Sequence, residues 1–216
     1  MHTILLADIF GETAALQRFS AALATKSTII SPYDEMLDFV DEAQAYAHFM
    51  QHVGLEKYCQ KVIDHLHRCN ESVSVIAFSI GASAIWKISG MAYEESNAAK
   101  NVSGAATIKE LAKIRAAAQI KGALCFYSSQ IRHLTDLQNS FPVQLVFAKH
   151  EAQFSVSDVI KQLSSKQQLH VFRSDYLHGF MNENSKNFDQ HGYQQSLKAI
   201  LAVPEKSSYH LAKFDN

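Results

Sequence analysis

Cysteine, proline and glycine are all scarce in this chain of 216 residues, at three, three and eight copies. Cys59, Cys69 and Cys125 are odd in number and unevenly spaced. They make neither a disulfide framework nor a CxxC metal pair, so a reducing cytoplasm is the default expectation. No stretch rich in Pro, Gly or Ser divides the chain, and one domain over 1–216 is expected. Charge of either sign is not in surplus: 20 basic side chains stand against 21 acidic ones, a formal net charge of −1. That balance gives no electrostatic reason to expect nucleic acid or an anionic membrane as a partner. Long hydrophobic runs are missing too, and none approaches the length of a membrane span. The opening residues, MHTILLADIFGET, lack a basic segment and reach Asp8 after a short apolar run. They read as a buried strand and not as a signal peptide.

What the chain does have is 47% hydrophobic residues against 19% charged ones, the make-up of an ordinary globular domain. Short apolar runs alternate with longer stretches of helical spacing. Strands are expected at 3–7, 27–31, 73–78, 122–127, 143–148 and 169–172. Helices are expected at about 13–25, 41–52, 55–68, 82–89, 108–118 and 189–202, with another carrying Val156, Val159, Ile160 and Leu163. Strands alternating with helices, most of them apolar on both faces, imply a parallel sheet covered on both sides. His65, His67 and Cys69 fall at i, i+2 and i+4 of one helix, so His67 points away from the other two and no metal site is expected there.

The segment Val75-Ile-Ala-Phe-Ser-Ile-Gly-Ala-Ser83 sets a serine at a sharp strand-to-helix turn. Such a nucleophile elbow needs small residues two before and two after the serine, here Ala77 and Gly81. Alone the match is weak, because S-x-G triplets are common and a serine can simply permit a tight turn. The order of acid and histidine along the rest of the chain adds to it. In the α/β-hydrolase arrangement an acid comes after a later strand and a histidine after the last one. Strand 143–148 is succeeded by Lys149, His150 and Glu151; strand 169–172 is succeeded by Arg173-Ser-Asp-Tyr-Leu-His178. Asp158 and Asp175 are alternatives to Glu151 as the acid.

Five short motifs then resemble the dienelactone hydrolase family of the α/β-hydrolases. They are Asp8-Ile-Phe-Gly11, Ala77-Phe-Ser-Ile-Gly-Ala82, Phe126-Tyr127, Val146-Phe-Ala-Lys-His-Glu151 and Leu177-His-Gly-Phe180. The resemblance implies an α/β-hydrolase fold with about six strands, and a Ser79–Glu151–His178 triad. It also implies an oxyanion hole from the backbone N–H groups of Ile9 and Ile80, and a substrate site touched by Asp8, Phe10 and Tyr127. No metal or organic cofactor is implied, and the partner would be a small-molecule ester.

The chain departs from that family in three ways. It begins almost at the strand bearing Asp8, which leaves a first sheet edge exposed and makes a homo-oligomer one expectation. The family's cysteine nucleophile is a serine here, and no arginine comes after His178 to hold a substrate carboxylate, so dienelactone itself is a poor substrate candidate. Residues 91–118 make a long connection that either caps the site or decorates the surface. The stretch from Ser128 to Phe141 is short, which argues against a large lid. The rival reading is a non-catalytic binding or scaffold protein that keeps the fold.

Overall fold

Runs of β-branched and large apolar residues become strands, and the sheet they build sets where every other element lies. The computed structural model describes residues 2–101 and 108–202. Its strands are β1 (His2–Leu6), β2 (Lys26–Ile30), β3 (Val73–Phe78), β4 (Ile120–Phe126), β5 (Val143–Phe147) and β6 (Leu169–Arg173). They form one sheet in the order β2-β1-β3-β4-β5-β6, and every neighbouring pair is parallel. The six-stranded α/β architecture expected from the sequence is the one observed.

Alternate residues of each strand feed two separate apolar layers. Ile4, Leu6, Val75, Ala77 and Cys125 point into the larger one, while Leu5, Ile76, Phe78 and Phe126 point into the other. The larger layer is closed by α2 (Glu42–His52), α3 (Gly54–Arg68), α4 (Ile80–Asn101), α5 (Ile108–Ala118) and α6 (Val156–Leu163). The smaller is closed by α1 (Ala14–Ala22) through Phe19 and by α7 (Gln190–Leu201) through Ile200. Short polar side chains start four of the helices. Thr13, Asp41, Ser155 and Asp189 each accept the backbone N–H that the first turn would leave unpaired.

The expected elbow helix at 82–89 is corrected to Ile80–Asn101. Residues 90–101 look polar in sequence, yet Met, Ala, Glu and Lys are good helix formers, and α5 packs against α4 there, with Lys113 paired to Glu95. A helix rises about 1.5 Å per residue, so residues past 91 lie well away from the Ser79 end of α4. The described part of the 91–118 connection thus decorates the helical layer and does not cap the carboxyl edge of the sheet; residues 102–107 of it lie outside the described residues. The Ser128–Phe141 stretch is pinned down: Ile131 is fully buried, and the Trp86 indole donates to the Leu134 carbonyl at 2.9 Å. No described helix is long and apolar enough to cross a membrane.

Tyr58 of α3 is fully buried and shares its hydroxyl hydrogen between the carbonyls of Ala7 (3.0 Å) and Ile30 (2.8 Å), tying the ends of β1 and β2 together beneath the site. Tyr58→Phe leaves both carbonyls without that donor. It is expected to lower unfolding free energy by about 1–2 kcal/mol, read as a shift of the urea midpoint without a change of slope.

Candidate active site

Ser79 occupies the single residue between β3 and α4, and its φ of 47° is in the left-handed region that an L side chain enters at a cost. Neighbouring contacts hold it there. Its N–H donates to Phe126 O at 2.9 Å, and its carbonyl accepts both the Ser83 N–H (3.0 Å) and the Ser83 hydroxyl (3.1 Å). Gly81 has a steric reason to be glycine. A Cβ there would lie 2.6 Å from Ala7 O and 2.7 Å from Leu6 O, backbone atoms of the β1 end that cannot swing aside. Ala77 supplies the other small position and is fully buried.

From this turn a chain of hydrogen bonds runs outward. Ser79 Oγ lies 2.9 Å from His178 Nε2, and His178 Nδ1 lies 2.8 Å from Glu151 Oε1. A carboxylate only accepts, so Nδ1 carries the ring hydrogen and Nε2 is left to accept from the serine hydroxyl. Glu151 is held on the inside of its turn by a bridge to Phe154 and is only 6% exposed. Asp158 and Asp175, the two alternatives, are exposed. Three contacts clamp this turn to the chain leaving β6. Lys149 N–H donates to Tyr176 O at 2.7 Å, Ser174 N–H donates to Phe147 O at 2.9 Å, and the Arg173 guanidinium donates twice to Lys149 O.

His178 is fixed from behind as well. Gly179, with φ 87°, turns the chain so sharply that a Cβ would meet Ser185 Oγ at 2.3 Å. Asn187 Nδ2 donates to His178 O at 2.9 Å. Tyr127, also at positive φ (41°), lays its ring against the imidazole with centroids 4.9 Å apart.

The β1 end brings Asp8 to the same place. Its Oδ1 accepts the Phe10 N–H at 2.9 Å, and its Oδ2 accepts from Asn182 Nδ2 at 2.6 Å. Burial pushes the Asp8 carboxyl above the usual carboxylate range, against the pull of Asn182, the Phe10 N–H and nearby His178. Phe10 is buried and packs into the larger apolar layer, so it meets the site through its backbone. Ile9 is buried in the turn closed by Gly11 N–H to Asp8 O, and its carbonyl accepts from Tyr33 OH at 2.6 Å. Ile80 opens α4, where backbone N–H groups have no partner inside the helix. Arg132 and Arg173 are committed elsewhere: Arg132 donates to Ser129 O and lies over the Phe154 ring, and Arg173 bonds Lys149 O and Ser157 Oγ.

Asn182 and Asn187 carry no signal in the sequence. Asn182 meets Asp8 from 174 positions away, and a lone loop asparagine has no spacing pattern that would announce the contact.

The fold matches known structures. A hydrolase of the α/β superfamily from Xanthomonas campestris pv. campestris superposes with a TM-score of 0.55 at 14% identity, over 93% of this chain and 95% of that one. A dienelactone hydrolase-like promiscuous phosphotriesterase from metagenomic libraries gives 0.55 at 11% identity, over 93% and 83%. A lipase-esterase related protein from Clostridium acetobutylicum gives 0.52 at 8% identity, over 91% and 93%. The chain therefore has the α/β-hydrolase fold. In sequence, the uncharacterized protein YczH of Bacillus subtilis strain 168 is 27% identical over 206 residues, 91% of this chain and 89% of its own length. No family model matches the chain.

The raised Asp8 carboxyl fixes the sign of one pH effect. A folded value above the ordinary 3.8 means the native state holds this proton more tightly than the unfolded chain does. Stability from this group is present at low pH and declines as pH rises from about 4 through the folded value. Asp8→Asn cannot ionise. Whatever its constant cost, urea unfolding at pH 4 and pH 7.5 is expected to favour the variant progressively at the higher pH; a pH-independent difference would contradict the assignment.

Proposed function

We propose that this protein is a serine hydrolase of the dienelactone-hydrolase type, cleaving a carboxylic ester or a related acyl bond through an acyl-enzyme on Ser79. The observation that carries the reading is the continuous Ser79–His178–Glu151 hydrogen-bond chain at the carboxyl edge of a parallel sheet, at 2.9 Å and 2.8 Å, where active sites of such sheets collect.

In this mechanism Ser79 Oγ attacks the substrate carbonyl carbon while His178 Nε2 takes its proton, and the carbonyl electrons move onto oxygen. Glu151 stabilises the imidazolium and keeps the ring in its tautomer. The N–H groups of Ile9 and Ile80 donate to the oxyanion, and the positive N-terminal end of the long helix α4 favours the same charge. Collapse breaks the bond to the leaving alcohol, which takes the proton back from Nε2. Water then repeats the sequence on the acyl-enzyme, again giving its proton to His178, and the acid is released. Asp8, Phe10 and Tyr127 border the substrate, Phe10 through its backbone. Commitment of both nearby arginines to carbonyls and rings speaks for an uncharged substrate over dienelactone.

A fluorophosphonate probe tests this directly. Wild type should gain one covalent adduct by mass spectrometry, and Ser79→Ala should gain none. Glu151→Gln should keep the fold and lower kcat on an aryl ester by on the order of 10²–10⁴-fold. Folded wild type that neither labels nor turns over a panel of aryl esters would mean the fold serves binding instead.

A further inference from the structure

The chain leaving β1 makes one tight turn, and its residues suit it. Gly11 N–H donates to Asp8 O at 3.0 Å, closing four residues with Ile9 and Phe10 at the centre. Aspartate first and glycine fourth are favoured in such a turn. The Asp8 side chain braces it from within, its Oδ1 accepting the Phe10 N–H at 2.9 Å.

A planar trans peptide points its C=O and N–H in opposite directions, and no cis peptide occurs among the described residues. With Asp8 O turned inward to Gly11, the Ile9 N–H of the same peptide faces out of the turn. No acceptor among the described residues takes it. The turn also lacks an internal fastening for its outermost carbonyl, Ile9 O. Tyr33, 24 positions along the chain, supplies one by donating its hydroxyl hydrogen at 2.6 Å.

Tyr33 is itself gripped on several sides. Its N–H donates to Ser31 Oγ at 3.1 Å, and its carbonyl accepts from Lys61 Nζ of α3 at 2.8 Å. The rings of Phe39 and His48 lie 5.7 and 5.4 Å from its own. A Cβ at position 11 would stand 2.6 Å from Tyr33 Cδ2, so glycine there makes room for the ring. Burial and the nearby Asp8 carboxyl push the phenol well above its ordinary value, so it stays a donor at neutral pH.

The end of β1 also lies against the first turn of α4. Leu6 O and Ala7 O fill the space that a Cβ on Gly81 would need. Ile9 comes two residues after Ala7, and Ile80 one residue before Gly81. Fixing the Ile9 turn therefore fixes its outward N–H relative to the elbow that carries Ser79.

We propose that Tyr33 is a positioning residue for the oxyanion hole, its phenol holding the Ile9 carbonyl so that the Ile9 N–H meets the developing charge. The inference rests on the serine-hydrolase reading, because it gives Tyr33 a part in that reaction. Misplacing a reacting or stabilising group by about an ångström costs up to about 10²-fold, so a loosened turn is felt in rate.

Tyr33→Phe in the full-length protein keeps the ring and removes only the hydroxyl. It is assayed on 4-nitrophenyl acetate and on the thionoester with sulfur in place of the carbonyl oxygen. Each kcat/KM is divided by the substrate's rate with hydroxide. An oxyanion accepts N–H hydrogen bonds better than a thiolate-like sulfur, so the corrected oxygen-to-sulfur ratio reads the hole and not the triad. Wild type should give a ratio above unity. Tyr33→Phe should lower kcat on the oxygen ester about tenfold with KM within about twofold, and should lower the ratio by at least about threefold. An unchanged kcat, or an equal loss on both substrates, overturns the role of Tyr33 and leaves the hydrolase standing. Folded wild type that turns over neither substrate sinks the hydrolase and the role of Tyr33 with it. Should Tyr33→Phe not fold, Lys61→Met releases the Tyr33 carbonyl instead and should lower the ratio about twofold; an unchanged ratio there overturns the inference.

Discussion

The left-handed backbone at Ser79 is the constraint on which the rest of the site depends. A residue at φ 47° stores strain, and only a surround that over-determines the turn can keep it. β4 accepts the Ser79 N–H, the first turn of α4 binds its carbonyl, and β1 runs so close beneath that position 81 has no space for a methyl group. The turn brings the hydroxyl to 2.9 Å from His178 Nε2 while its backbone stays buried in hydrogen bonds. Flanking loops then need only bring their side chains to a fixed point.

They do so by a common device. The loops that carry Asp8 and Glu151 are each locked by hydrogen bonds to the segment around His178. Asp8 gathers Phe10 and Asn182, so one carboxyl joins the first loop to the loop that carries the histidine. The Glu151 turn is held by Lys149, Ser174 and Arg173 to the chain on the other side. The Arg173 guanidinium is consumed in that clamp.

Much of this is legible in the sequence, for reasons that differ by element. Strands β1, β3 and β5 announce themselves because a buried parallel strand must be apolar on both faces. The elbow is readable because close approach forbids side chains at fixed offsets from the serine. The end of α4 is not legible from apolar spacing, since residues 90–101 carry good helix formers without a clear apolar stripe and meet α5, as at Lys113–Glu95, from across the fold. Glu151 cannot be separated from Asp158 and Asp175 by position; what distinguishes it is a turn that points it inward beside Phe154. The Asp8–Asn182 contact joins residues from nearly opposite ends of the described chain, and no local pattern could reveal it.

The wide sequence separation of the site's parts bears on when it can exist at all. Ser79 and His178 are 99 positions apart, and Asp8 and Asn182 are 174 apart. Contacts that close such long loops are entropically expensive until most of the intervening sheet has formed. During synthesis β1, β2 and β3 emerge well before the segment bearing His178, so a growing chain holds Ser79 long before it holds His178. The hydrogen-bond chain from Ser79 through His178 to Glu151 is therefore a property of the nearly finished fold, and partly assembled chains lack it.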